Sequence, residues 1–256
     1  MHIIIIIACV ILLIVVLAWV IGNAMTNSNT LWNFKHCNVL VAGKKGSGKD
    51  MLFQWVINKR KDYYYSNISY GGYKKIIKLK EVSCSPNDYN TIINDKIEKQ
   101  PHRFKEGKDI YISDIGIYLP SYMDSKLYKE FPSMPVLYAL SRHLYDSNIH
   151  CNTQNIERGW KALREQADFY IIVKRTYKIG HLFITKYYSY DKYDSARQCL
   201  TPMKSRIFNK FSKAEYDKYI AENGEIRKGY IFQWKKNLKY DTRAMEKILL
   251  KGRRKY

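Results

Sequence analysis

Residues 3–21 run without a single polar side chain. At about 1.5 Å per helical residue this run spans roughly 28 Å, close to the ~30 Å hydrocarbon core of a bilayer. Only Met1 and His2 precede it. A cleaved signal peptide needs a basic leader and an apolar stretch of only about 7–15 residues; Gly22-Asn23-Ala24 mimics a cleavage site only faintly. The pattern predicts a retained single-pass anchor over 1–22 and a polar linker over 23–37 at the membrane surface. Almost every charge follows the anchor, and basic residues favour the cytoplasmic side, which puts the N-terminus outside and the bulk of the chain in the cytoplasm.

Beyond the linker the pattern changes period. Residues 38–42 are a short β-run that feeds a glycine-rich turn, and 49–59 carry Leu52, Phe53, Val56 and Ile57 at helical spacing. Residues 63–69 and 76–79 read as strands separated by Gly71-Gly72, and an S-x-x-D start at Ser85 opens a helix toward Lys99. A second buried strand spans 109–114, a helix 136–144, a strand 149–153 and a helix 155–166. Segments 169–176 and 181–188, joined around Ile179-Gly180, read as a hairpin at a sheet edge. In the tail, Ser212 and Glu215 form a capping box for a helix ending at Gly224, and Asp241 caps another ending near Gly252. Strands alternating with helices predict an α/β fold with a mostly parallel sheet and flanking helices.

Composition then narrows the chemistry. The 256 residues include 44 Lys+Arg against 23 Asp+Glu, a formal charge of +21, which points to a polyanionic neighbour: nucleic acid, a nucleotide or an anionic membrane face. The excess of Ile, Lys, Asn and Tyr also fits AT-rich coding, which accounts for part of the surplus. With 46% hydrophobic residues and 23 tyrosines the chain is not intrinsically disordered. Cys9, Cys37, Cys84, Cys151 and Cys199 are odd in number and scattered, against both a disulfide framework and a zinc site.

The turn after the first strand, Gly43-Lys44-Lys45-Gly46-Ser47-Gly48-Lys49-Asp50, fits the phosphate-loop pattern G-x-x-x-x-G-K with Asp50 where Ser or Thr is usual. Glycines let backbone N–H groups converge on phosphate oxygens, and the following helix N-terminus adds about half a positive charge. Lys49 is placed to reach the β- and γ-phosphates, so ATP is the expected ligand. Asp50 has two readings. It ligates Mg²⁺ directly, at the expense of repelling the phosphates, or it caps the first helical turn. The first of these predicts weaker or more strictly metal-dependent binding than Ser would give. Lys44 also matches the deviant phosphate loops of ParA/MinD-type ATPases, whose signature lysine crosses a dimer interface.

The strand at 110–114 resembles a Walker B strand, whose terminal aspartate, here Asp114, binds Mg²⁺ through water. The glutamate that usually follows is replaced by Ile115. The strand ending in Thr153-Gln154 is expected beside it, with an amide near the γ-phosphate. With these pieces, and with Arg142-His143 and Asp146 forming an R-H-x-x-x-D segment, residues 38–175 resemble the zonular occludens toxin (Zot)-like family, the ATPases of filamentous-phage assembly, relatives of the FtsK/HerA DNA-pumping ATPases. The resemblance implies a P-loop ATPase domain over 38–190 using ATP and Mg²⁺. Lys49, Asp114 and Gln154 are its catalytic residues, Gly43 through Asp50 its nucleotide loop, and Asp50 and Asp114 its metal ligands. It also implies a homo-oligomer in the host inner or plasma membrane, and extrusion of a phage-like particle or its DNA. Asp50, Ile115 and the N-terminal position of the anchor depart from the family pattern. A nucleotide-binding switch or scaffold without turnover, and a FtsK/HerA-type packaging pump, are the alternatives. Arg158 and Arg164 are candidates for an arginine finger in trans or for surface salt bridges.

Two-thirds of the charge surplus, a net of +14, falls in residues 174–256, interleaved with Tyr177, Tyr187, Tyr188, Tyr190, Trp234 and Tyr240. Residues 191–256 are expected to be a basic, helical, tyrosine-rich tail. Basic side chains that track phosphates among aromatics that stack bases suit single-stranded DNA. Phage coat or assembly proteins are the other expected cargo, and attraction to anionic lipid at about 1 kcal/mol per basic residue is the competing reading.

Overall fold

The structure, a computed structural model, describes residues 2–61, 64–66, 70, 74–76, 107–130, 134–190 and 226–237. At its centre lies β1 (Val39–Ala42), four apolar residues buried on both faces as a central parallel strand requires. Successive side chains serve opposite layers. Leu40 and Ala42 join a cluster with Ile112, Ile115, Tyr138, Trp160 and Leu163, while Val39 and Val41 pack with Phe34, Leu52, Phe53 and Val56. Helical material thus covers both faces of the sheet.

The remaining elements follow in chain order. The nucleotide turn leads into α2 (Lys49–Arg60), which Lys61 stops in the left-handed region at φ 55°, donating its N–H to the Ile57 carbonyl. Then come β2 (Tyr64–Ser66), β3 (Lys74–Ile76), β4 (Ile110–Ile112), α3 (Ile115–Tyr118), α4 (Asp124–Glu130), α5 (Met134–Tyr145), β5 (Ile149–Thr153), α6 (Lys161–Arg164), β6 (Phe169–Ile179), β7 (Leu182–Tyr190) and β8 (Ile226–Trp234). The described strands form one sheet in the order β3-β2-β4-β5-β1-β6-β7-β8. Pairings from β3 through β6 are parallel, and β6-β7 and β7-β8 are antiparallel. The expected α/β fold with a mostly parallel sheet is present, and the expected hairpin is β6-β7, turning at Gly180 with φ 58°.

Three segments differ from the sequence reading. First, the stretch expected as a linker continues the apolar helix: α1 (His2–His36) is one helix of 35 residues. Its polar side chains bond back to helix carbonyls instead of breaking it, with Asn23 on Trp19 O, Thr26 on Gly22 O and Thr30 on Thr26 O. The end of α1 is core. Phe34 is fully buried, a burial that stabilises by about 1.5–3 kcal/mol. Second, the helix expected over 155–166 is broken into a 3₁₀ turn, Ile156–Arg158, and the short α6. Gly159 between them is extended and bridges to Pro120, and a Cβ there would meet Ile115 Cδ1 at 2.9 Å. Third, β8 lies in the stretch expected to be helical, yet pairs with β7 over its full length. Gly229, Ile231 and Gln233 face inward while Lys228, Phe232 and Trp234 are exposed, the alternation of a sheet edge. The helices expected over 85–99, 212–224 and 241–252 lie outside the described residues.

Candidate functional site

The nucleotide turn sits where the sheet order brings β5 and β6 to either side of β1, at the carboxyl ends of the parallel strands, the usual ligand crevice of such sheets. Gly43 donates its N–H to the Thr153 carbonyl at 3.2 Å, fixing the loop to β5. A Cβ at Gly43 would lie 2.5 Å from both Ser47 Oγ and the Val173 carbonyl, so only glycine fits. Gly48 needs glycine twice over: its φ is 104°, and a Cβ would collide with Thr176 Oγ1. Thr176 in turn donates to the Ser47 carbonyl at 2.7 Å, tying the loop to the hairpin.

Lys49 opens α2 and is only 6% exposed, without an ion-pair partner among the described residues. Ser47 Oγ is likewise buried without a hydrogen-bond partner. A buried hydroxyl left unmatched, beside a lysine with no ion-pair partner among the described residues, is costly unless another group completes it. Phosphate oxygens fit that demand. Next to the loop opens a cleft of about 350 Å³, whose polar lining includes Lys44, Lys45, Gln154, Asn155, Arg158 and Lys174. Gln154 thus reaches the nucleotide side of the strand, at the end of β5.

β5 lies between β1 and β4, so the loop and Asp114 are two strands apart with Thr153-Gln154 between them. Asp114 follows β4 in the left-handed region, φ 54°, and its backbone N–H is held by Asn152 Oδ1 at 2.8 Å. Burial pushes the Asp114 carboxyl up, the Asp50 carboxylate pushes it further, and Lys49 opposes both. The two carboxylates and the lysine therefore share one electrostatic neighbourhood.

Asp50 does not cap α2. The N-cap is Gly48, without any side-chain cap bond. Asp50 Oδ1 instead accepts from Tyr70 OH, Ser113 Oγ and Asn152 Nδ2, each at 2.9 Å. All three donors converge on one oxygen, leaving Oδ2 for another partner. The cap fails because the phosphate loop itself supplies the backbone turn at the helix start. Ile115 is fully buried in the core, so the position after Asp114 offers packing and no base.

The other candidates divide. Arg158 lines the cleft, while Arg164 is paired with Glu157 at 2.5 Å. Arg142 lies away from the loop and donates to the His36 carbonyl at 2.7 Å, capping α1. His143 is exposed. Sequence reasoning passed over Asn152, Ser113, Tyr70 and Thr176 as functional groups. For Asn152 a signal existed: β5 is buried along its whole length, yet reads Ile-His-Cys-Asn-Thr, with polar residues at alternate positions. A buried polar face inside a central strand demands partners.

No protein-family model matches the sequence. No curated protein matches it either. Among solved structures, the chain is similar to the N-terminal domain of zonular occludens toxin from Neisseria meningitidis, with 12% identity, 81% of this chain and 96% of that chain covered, and a TM-score of 0.42. It is also similar to the genome packaging NTPase B204 from Sulfolobus turreted icosahedral virus 2. In the complex with AMP the identity is 13%, the coverage 61% and 93%, and the TM-score 0.36. In the complex with AMPPCP these are 14%, 64% and 95%, and 0.36. The strand order, the glycine turn and the buried lysine at its end make this chain a P-loop α/β fold preceded by one long apolar helix, and it is in overall fold that it resembles those proteins.

Proposed function

We propose that the protein is a membrane-anchored P-loop ATPase of the Zot-like type, driving assembly or extrusion of a filamentous-phage-like particle, or of its DNA, through the membrane. The observation that carries the reading is Lys49: a lysine only 6% exposed, without an ion-pair partner among the described residues, at the end of a glycine loop and in one electrostatic neighbourhood with Asp114. The backbone amides of the Gly43–Lys49 loop other than those of Gly43 and Ser47, together with Ser47 Oγ and Lys49, would hold the phosphates of ATP. Asp114, together with Asp50 through Oδ2, would hold Mg²⁺, and Gln154 would contact the γ-phosphate. The ion, when bound, neutralises charge on the transferring phosphate. α1 would cross the membrane once: it contains an apolar window of mean hydropathy 3.6, none of it buried within the chain. Proteins sharing the fold, the N-terminal domain of a zonular occludens toxin and a viral genome packaging NTPase, motivate particle assembly as the task, with single-stranded DNA or coat and assembly proteins as cargo and a homo-oligomer as the working form.

One observation favours a second reading. With Ile115 buried and Asp50 Oδ1 committed to three donors, the site has no evident base among the described residues. A nucleotide-binding switch that assembles without turnover fits that deficit. The test is ATP binding and phosphate release by the full-length protein in lipid nanodiscs, because Thr30 and Phe34 of α1 are buried against the rest of the fold and should not be removed. Release by wild type that is lost in both Lys49→Ala and Asp114→Asn selects the ATPase. Binding that is lost in Lys49→Ala, with no release by wild type, selects the switch. No binding by wild type overturns both.

A further inference from the structure

We infer that the end of the β6-β7-β8 extension is a second membrane contact, which seats in an anionic leaflet beside α1. The inference rests on α1 being a membrane anchor and goes beyond it by giving the globular part a fixed face toward the bilayer.

β8 runs beside α1 toward its apolar end. Tyr187, opposite Gly229, bonds Asn27 Oδ1 and Thr30 Oγ1 through its hydroxyl, and further along β8 Tyr230 and Phe232 touch the Trp19 ring. Trp19 sits at the end of the apolar run, where interfacial tryptophans gather. β8 then continues from Phe232 to Trp234, about 7 Å further along a strand. The extension therefore travels with the helix into the depth at which α1 becomes wholly apolar.

The register sorts the residues on that face into rows. The last row is Ile179, Leu182 and Trp234, and the next is Tyr177, Ile184 and Phe232. Ile179 is 63% exposed and Trp234 54%, so the end of the sheet presents exposed apolar side chains, flanked by the exposed Lys178, His181, Lys235 and Lys236. Behind these rows the character changes: Arg175 and Lys186 lie beside Tyr230, followed by Lys228. Arg175 stacks over Tyr177 at 5.2 Å and Lys228 over Tyr230 at 5.2 Å, keeping the cations level with the aromatic rims. Beside the tip, His181, Trp234, Lys235 and Lys236 line a shallow hollow.

Exposed Ile179 and Trp234, the aromatic and cationic rows behind them and the lysines that flank the tip together match the mixed aromatic and basic composition of an anionic bilayer interface. The exposed Lys178, Lys235 and Lys236 at the tip would serve single-stranded DNA as well, so the choice rests on the position beside α1. A second copy of the chain would find rows of like charge facing its own. Continuity with the anchor commits the face to lipid.

The experiment uses full-length protein in vesicles of phosphatidylcholine and phosphatidylglycerol, with bromine placed near the carbonyl end of the acyl chains as a contact quencher of tryptophan. The Trp234 signal is the difference between wild type and Trp234→Phe, and the Trp19 signal is read likewise from Trp19→Phe. The expected result is quenching of both, about twofold or more for Trp234, and a smaller Trp234 effect in the Arg175→Gln/Lys186→Gln variant. Quenching of Trp19 without Trp234 overturns the second contact and leaves the anchor standing. Quenching of neither overturns the anchor and the contact together. Trp234 protected from bromine but altered by added oligonucleotide, or by protein concentration with cross-linked dimers, assigns the face to nucleic acid or to a second copy and overturns the inference.

Discussion

Two carboxylates, Asp50 half-buried and Asp109 buried, stand at opposite ends of the sheet, and they are satisfied in different ways. At the nucleotide end, Asp50 takes only neutral donors, Tyr70, Ser113 and Asn152, all on one oxygen. At the anchor end, Asp109, just before β4, takes a cation and several further donors. Arg60 pairs with Oδ2, Asn148 donates its backbone N–H and its amide to Oδ1, and His150 lies 3.4 Å from Oδ2. Neutral donors orient a charge without cancelling it, whereas a guanidinium cancels it. The Asp50 end is left with negative charge, which suits the metal proposed for it. The Asp109 end is closed, and its cation serves a second purpose: Arg60 also donates to the Phe34 carbonyl and so fastens α1 to the core.

The largest expected effect breaks the closed end. Arg60→Met leaves Asp109 buried without its counter-charge and removes a cap from α1, costing about 3–5 kcal/mol. Thermal unfolding of the full-length protein in nanodiscs should show a midpoint lowered by about 10 °C. Adding Asp109→Asn should recover part of the loss, because the orphaned charge is then gone. Nucleotide affinity should stay within about twofold of wild type in both variants.

The open end answers in the opposite currency. Lys49→Ala should lower ATP affinity by about 100-fold, or about 2.7 kcal/mol, as expected for a charge-assisted phosphate contact. Its thermal midpoint without nucleotide should move far less than that of Arg60→Met, since no ion pair among the described residues is broken. A stability loss comparable to that of Arg60→Met would mean that Lys49 holds the fold, and the distinction between the two ends would collapse.

Asp50→Ser sits between these extremes because it should move both readouts. Three donors lose their shared acceptor, a cost of about 1–3 kcal/mol in stability. A negative charge is also removed from beside the phosphates, so ATP should bind more tightly, most clearly at low Mg²⁺. Titration calorimetry across a Mg²⁺ series checks this, and binding no tighter at any Mg²⁺ level would falsify the charge argument.

The difference between the two ends also explains what was legible in the sequence. The phosphate loop, β4, β5 and the β6-β7 hairpin are local patterns: glycine spacing, short apolar runs and a turn residue whose φ only glycine adopts readily. Each could be read from a handful of neighbours. The Asp50 cage and the Asp109 clamp are assembled from residues 20 to 102 positions apart, and neither has a local signature. The 23–37 stretch misled for the same reason. Its Asn and Thr content suggests a linker, but those side chains bond within the helix, and Phe34 finds its partners, Phe53 and His150, far along the chain. The strand β8 was hidden because an edge strand depends on β7, and the tail was judged by its charge.

A pH effect should separate the ends more finely. His150 is fully buried against Phe34 and Tyr111, and burial first, then the Arg60 charge, holds its imidazole well below the ordinary value of 6.5. The folded protein therefore keeps His150 neutral while the unfolded chain takes up a proton below pH 6.5. The stability from this group is complete above that value and is lost as pH falls through it, with a slope of at most about 1.4 kcal/mol per pH unit. His150→Asn should flatten the acid limb of stability against pH and leave nucleotide affinity at neutral pH unchanged.

The smallest expected effect addresses the segment that sequence resemblance made most conspicuous. Arg142 belongs to the R-H-x-x-x-D segment, one of the pieces on which the family resemblance rests. In the structure its guanidinium caps the His36 carbonyl at the end of α1, on the anchor side, with the side chain largely exposed. A cation on the last carbonyls of a helix stabilises by about 0.3–1 kcal/mol. Arg142→Gln keeps a donor but removes the charge, so the thermal midpoint should drop by no more than about 2–4 °C. ATP affinity and any phosphate release should remain within about twofold. A tenfold fall in either, at unchanged stability, would move Arg142 to the open end and make the segment part of the nucleotide site after all. If only the midpoint moves, the segment is a fastener for the anchor, and the charge that serves the phosphates is confined to the loop and its cleft.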